Sequence, residues 1–504
     1  MLTRLRINGF KNLIDVDLHF GPFTCIAGAN AVGKSNLFDA ILFLKGLMDA
    51  PIMDAAMAVR EKNSSVSDVR YLFTQTASGV PLPIEIEAEM LVPAEGSDYL
   101  DQPAAAKTTF LIYRLELRYR SSEGSTARSR IELVEETLDY VKKGEALVHL
   151  PFDHTKSWRD SVVVGRRTSP YISTEPRRGE GRFIKLHQDS STSGGRTRLF
   201  QADKLPRTVL STVNSQESPT AVLARQEMLN WRLLQLEPSA LRAPDGFDAP
   251  SQIDASGAHL PATLYRLSQA SDRSSASSSN VDECVDERAV EHEPVNERAL
   301  THIANRLHGL IDHVGQVLID RDDKRELLTL LLTDKYGTQL PAKALSDGTL
   351  RFLALASVEI DPTLTGLICM EEPENGIHPE RIAAILELLR DIAVDPTLPI
   401  GDDNPLRQVI INTHSPVVVN QVPDDAVVFA VPEQRVVEGN LIKGVSFRCL
   451  SETWRTKKVG MPTIAKGKAV SFLQPIVDKA DPSREKGNRR VIDHPDLAQL
   501  KLLL

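Results

Sequence analysis

Residues Gly28 to Ser35 read GANAVGKS, a glycine-bounded loop closing on lysine and a hydroxyl residue. The types imply a chemistry. Glycines allow a tight turn whose N–H groups point inward at phosphate oxygens. Lys34 would neutralise β/γ-phosphate charge, and Ser35 would offer its hydroxyl to Mg²⁺. Gly28, Asn30, Gly33 and Asn36 complete the phosphate-facing set. Far along the chain, Glu371 and Glu372 follow the apolar run Leu367-Ile368-Cys369-Met370. One carboxylate there can hold hydrated Mg²⁺, and the next can orient an attacking water. His414 follows another apolar run, Val409-Ile410-Ile411. Leu345-Ser346-Asp347-Gly348-Thr349 opens an apolar helical stretch, with Ser346 placed to cap it and leave N–H groups free for an anion.

Particular elements must position these residues. Phe23 to Ala27 reads as a buried strand before the loop, and Ser35 to Lys45 as the helix after it, which is the context a phosphate loop requires. Apolar/polar alternation predicts strands over Leu2–Phe10, Asn12–Phe20, Pro83–Val92 and Thr108–Arg120. Ile131–Lys143 fits strand or helix. Helical spacing runs from Ala221 to Leu241 around Trp231, from Ala299 to Ile311, and from Leu350 to Val358. Strands are expected at Val314–Asp320 and Leu327–Thr333. Acidic strands ending in a loop suit an open α/β sheet, which binds ligands at the carboxyl ends of its strands.

Taken together these motifs resemble the ABC-class ATPase heads of the RecF, SMC and OLD branch, including stand-alone bacterial RecF-like ATPases of repair or anti-phage operons. The resemblance implies an α/β P-loop head split by a middle insertion. It implies ATP and Mg²⁺ as cofactors, with Lys34 and Ser35 on phosphate and metal and Glu371 at the Walker B position. Glu372 would polarise the water, and His414 would sense the γ-phosphate. Ser346 and Gly348 would contact ATP bound to another copy of the chain. Gln75, in YLFTQ, is the Q-loop candidate for the metal. Two positions depart from the family pattern: Glu371 stands where the norm is Asp, and Asp347 adds a negative charge where the signature has Gly. No acidic set for a fused Toprim nuclease follows His414.

With 504 residues the chain is long enough for roughly three domains. The expected division is an N-terminal ATPase lobe over 1–150, an inserted middle region over 151–298, a C-terminal lobe over 299–450 and a basic tail over 451–504. Within the middle region, residues 268–298 are Ser-rich and then acidic, a composition that reads as a disordered linker. Hydrophobic residues make up 41%, ample for a core, and the net charge of −9 gives no global sign of nucleic-acid binding. Two stretches are locally basic. Lys156–Arg207, with Arg166-Arg167 and Arg177-Arg178, holds 12 Lys/Arg against 5 Asp/Glu; Trp454–Arg490 holds 10 against 3. They suit DNA or RNA, with Trp454 stacking on an unpaired base, or an acidic protein partner. The four cysteines, Cys25, Cys284, Cys369 and Cys449, form no metal-binding pattern and suit a reducing cytoplasm. No run is long enough to span a membrane.

Two functions are consistent with this reading. One is an ATP-gated head dimer that hydrolyses ATP in repair or defence. The other is a slowly turning regulatory scaffold that holds a separate effector protein.

Overall fold

The computed structural model describes residues 1–59, 68–121, 129–177, 181–189, 197–276, 297–308, 314–437 and 439–473. The chain divides into a large unit, Met1–Thr463, and a small C-terminal one, Ile464–Leu504, of which the helix Lys466–Leu473 is described.

The site rests on a six-stranded sheet. Its strands are β1 (Phe23–Ala27), β2 (Arg232–Leu234), β3 (Gly366–Glu371), β4 (Arg407–Thr413), β5 (Val427–Val437) and β6 (Asn440–Cys449). Their order is β2-β3-β4-β1-β5-β6, and every pairing is parallel except the β5–β6 hairpin. Parallel strands are covered on both faces, so they read as unbroken apolar runs. That is why LICM in β3 and VII in β4 show no alternation, and why all of β4 is buried. Helix α1 (Lys34–Asp49) follows β1 and buries Leu37, Phe38, Ile41, Leu44 and Met48 at helical spacing.

A second, eight-stranded antiparallel sheet lies N-terminal in the chain. Its order is Arg198–Gln201, Gly181–Leu186, Ile172–Arg177, Arg130–Tyr140, Phe110–Arg120, Ile84–Leu91, Leu2–Asn8 and Val16–His19. The ambiguous stretch near Ile131 is therefore a strand, fixed by its long pairing with Phe110–Arg120.

The middle of the chain is built into the head. Three of its strands extend the large sheet, and β2 joins the site sheet beside β3. The helix expected over Ala221–Leu241 is shorter: α2 spans Pro219–Leu229. Trp231 then enters the core with no exposed surface, and its Nε1 donates to Glu227 at 3.2 Å. After β2 comes the short α3 (Pro238–Leu241). The first residues of the stretch expected to be a linker, 268–276, belong to the helix Leu260–Ala276; residues 277–296, with Cys284 and the acidic run, lie outside the described residues. Toward the site follow α4 (Asp347–Ile360) and α5 (Ile382–Ile392).

Candidate nucleotide-binding site

The phosphate loop leaves β1 under close constraint. Gly28 N donates to Thr413 O at 3.2 Å, tying the loop to the end of β4. A Cβ on Gly28 would sit 2.7 Å from the Ala430 carbonyl oxygen. Gly33 is left-handed (φ 114°), and a Cβ there would meet the Asn12 side chain at 2.3 Å. Asn12 clamps the turn: its Nδ2 donates to Val32 O at 2.9 Å, and its Oδ1 accepts from Asn36 Nδ2 at 2.8 Å. No side chain caps α1, so the first N–H groups of the helix are available to an anion. Lys34 is buried, with Nζ donating to Gly28 O at 2.7 Å and Ala29 O at 2.9 Å. Burial pulls its pKa down, and the charges of Glu372, Glu374 and Glu371 oppose that.

The acidic residues stand at the end of β3, in register with the end of β4. Glu371 Oε1 accepts from Asn412 Nδ2 at 3.2 Å, and Oε2 from Gln235 Nε2 at 3.4 Å. Glu372 is held in the left-handed region (φ 47°), a conformation that costs a side-chain-bearing residue about 1 kcal/mol or more. Its N–H donates to Asn412 O at 2.9 Å. That turn aims the carboxylate sideways, where Oε2 accepts from Asn375 Nδ2 at 2.9 Å and Oε1 lies 2.6 Å from His414 Nδ1. Desolvation by burial works against ionisation, yet the bonds from Asn375 and His414 and the charge of Lys34 hold Glu372 below its ordinary pKa. Glu374 is the opposite case. Burial raises its pKa although Thr413 Oγ1 donates to Oε1, and its Oε2 is buried without a hydrogen-bond partner among the described residues.

Lys34, Ser35, Gln235, Arg351, Glu371 and Glu372 line one cleft of about 660 Å³. A hydroxyl, a carboxylate and an amide oxygen are hard donors suited to Mg²⁺, and the lysine and open helix start suit phosphates. The residues present fit both groups. Asn30, Gly33 and Asn36 line the same cleft. His414 reaches its edge through Glu372.

Gln75 does not come to this cleft. Its Nε2 is turned back onto the carbonyls of Arg70 (2.7 Å) and Phe73 (2.9 Å). Gln235 stands beside Glu371 instead, one residue beyond β2. The signal was the sequence LLQLEP, a short apolar strand ending in a polar residue.

Ser346 and Gly348 are not brought to the cleft either. Ser346 caps α4, its Oγ accepting from Thr349 N at 3.2 Å. Both residues line a separate groove of about 460 Å³ with His378 and Arg381. The extra charge of Asp347 is matched: Arg242, just past α3, reaches it at 2.5 Å and donates from the same Nη2 to Leu345 O at 2.9 Å.

The basic stretches are less free than their composition suggests. Arg182, Lys185 and Arg198 pair with Glu116, Glu175 and Glu217. Arg167 lies over the Tyr171 ring, and Arg178 lies outside the described residues. Trp454 cannot stack on a base: it is 7% exposed and packs against Phe152 and Arg455. Arg455 is fully buried, donates to His19 O at 3.2 Å, and is pushed down to about 9 by desolvation.

A phosphate loop, an acidic strand and a histidine strand side by side on a parallel sheet, with a capped signature helix, define a P-loop ATPase head of the ABC type. The chain belongs to the family described as "AAA domain, putative AbiEii toxin, Type IV TA system", whose model matches residues 23–131 and 223–420, more than half of its length. No curated protein matches it. Among solved structures it is similar to an Smc head bound to the C-terminal winged-helix domain of ScpA, at 14% identity and TM-score 0.43, covering 90% of this chain and 99% of that one. It is also similar to the SMC head domain from Thermotoga maritima, at 10% identity and TM-score 0.34, covering 88% and 97%. A Pyrococcus furiosus Smc head with an extended coiled coil gives 13%, TM-score 0.40, and 90% and 97%.

Proposed function

We propose that the chain binds ATP with Mg²⁺ in this cleft, hydrolyses it, and joins a second copy through the signature face. One observation carries the reading: strand ends from segments more than three hundred residues apart bring Lys34, Glu371, Glu372 and His414 together. Lys34 would leave its carbonyl partners for phosphate oxygens. Ser35, Glu371 and Gln235 would hold Mg²⁺, whose charge offsets that building on the phosphates. Glu372 would take a proton from water as its oxygen bonds to the γ-phosphorus and the bond to the β–γ bridging oxygen breaks. His414, donating from Nδ1, would keep Glu372 aimed. The groove at Ser346 and Gly348 is separate from this cleft and would meet the nucleotide of another copy.

The family description names a putative toxin of a type IV toxin–antitoxin system, which favours defence over repair as the biological setting. Three buried free cysteines support a reducing compartment. Among the described residues no helix is long and apolar enough to cross a membrane. DNA, RNA or a separate effector protein remain the partners to test, through Arg166 and Arg167 and the other surface cations.

Phosphate release with and without DNA, in wild type, Lys34→Ala and Glu372→Gln, is the test. Lys34→Ala should lose ATP binding by roughly ten- to hundredfold per charge-assisted bond removed. Glu372→Gln should bind and not turn over. ATP-dependent assembly of a wild type that releases no phosphate would replace the enzyme with the scaffold.

A further inference from the structure

Arg351 belongs to α4, five residues beyond Ser346, yet it forms part of the wall of the nucleotide cleft. Its Nη1 donates to Asn375 O at 2.6 Å, and its Nε is buried with no hydrogen-bond partner among the described residues. Asn375 in turn donates from Nδ2 to Glu372 Oε2 at 2.9 Å. The same turn is touched by the start of α4, where a Cβ on Gly348 would meet Ile377 Cδ1 at 3.4 Å and Gly376 O at 3.5 Å. Two contacts thus fasten the helix that carries the signature to the turn that carries the water-polarising carboxylate. A 14-residue helix moves as a unit, so a displacement at its capped end is passed to Arg351, one turn and a half along.

We propose that Arg351 is a positioning residue for Glu372: through Asn375 it holds that carboxylate in place and links the signature face to the hydrolytic site of the same chain. The proposal rests on the ATPase reading above. It accounts for an arginine placed where burial works against its charge, since its bond to Asn375 O closes the route from α4 to Glu372. A second copy docking its nucleotide on Ser346 would then tune turnover in the first chain as well as in its own cleft.

The test is steady-state phosphate release together with equilibrium binding of a fluorescent ATP analogue. Wild type, Arg351→Ala, Arg351→Lys, Asn375→Ala and the Arg351→Ala/Asn375→Ala double variant are compared. Arg351→Ala should lower kcat about tenfold, the scale of one bond to a charged group, with KM and the analogue's Kd within about twofold. Asn375→Ala should do the same while leaving Arg351 bound to the backbone. The double variant should be no slower than the slower single one, because both break one route. Arg351→Lys, which keeps a donor and the stem, should recover part of the loss. A kcat in Arg351→Ala within about twofold of wild type overturns the proposal. So does a Kd that rises as much as kcat falls, which would make Arg351 a nucleotide contact, and so do losses that multiply in the double variant. Should Arg351→Ala not fold, Asn375→Ala and Arg351→Lys decide: full wild-type turnover in Asn375→Ala is enough to overturn it. A wild type that binds ATP and releases no phosphate overturns the ATPase reading itself, and this proposal with it.

Discussion

His414 Nδ1 lies 2.6 Å from Glu372 Oε1, joining the tips of two adjacent parallel strands across the mouth of the nucleotide cleft. The contact gives the carboxylate a donor that neither strand supplies alone. The bond at Nδ1 also sets which ring nitrogen of the neutral imidazole carries the proton.

Glu372→Gln should cut phosphate release by roughly 10²- to 10⁴-fold, the range for a general base, with ATP affinity preserved. The pH profile carries a sign. Glu372 is held below the ordinary carboxylate pKa, so it stays ionised, and able to accept a proton, as pH falls through the usual glutamate range. The acid limb of kcat/KM should lie below that of an unperturbed glutamate. Asn375→Ala removes one stabilising bond and should move that limb to higher pH.

Glu374 offers a stability test. Its folded-state pKa is raised, chiefly by burial, so it costs stability once pH climbs above the unfolded value. Wild type should lose stability as pH rises through the raised pKa. Glu374→Gln keeps an acceptor for Thr413 and should flatten that loss. Thermal unfolding followed from acid to neutral pH is the measurement, and parallel curves for the two proteins would contradict it.

Gln235 and Gln75 should separate cleanly. Gln235→Ala should raise the Mg²⁺ concentration needed for turnover by roughly tenfold, the scale of losing one metal-linked contact. Gln75→Ala, which loses only two local bonds to carbonyls, should leave the Mg²⁺ titration unchanged.

The signature face is tested through charge. Arg242→Ala strands Asp347 beside the surface meant for phosphate, and ATP-dependent self-association of a Glu372→Gln chain should weaken by about tenfold or more. Adding Asp347→Gly should restore it. Ser346→Arg should block association by bulk while leaving ATP binding intact. Light scattering with and without ATP reads all three, and an Arg242→Ala dimer as tight as its parent would show the pair to be only structural.

Much of the head was legible because each site element ends an apolar run. Lys34, Glu371 and His414 all follow stretches that only a buried parallel strand explains. Other features were set by partners remote in sequence. Gln235 follows a three-residue strand whose neighbour, β3, lies more than a hundred residues on, and its local signal, an apolar run ending in Gln, is shared by YLFTQ at Gln75. Asp347 looked like an unmatched charge because Arg242 is 105 positions away. WRTKK reads as a solvated basic surface, and its first two residues are buried because carbonyls and a ring from three other segments close over them.

The order β2-β3-β4-β1 has a consequence for biosynthesis. The loop that would grip nucleotide precedes the strands that lead to Glu372 and His414 by more than three hundred residues, so it is synthesised well before them. Pairings between such distant segments close slowly. On the proposed ATPase reading, a chain cut short before β3 would hold the phosphate loop and lack the carboxylates and histidine that serve it.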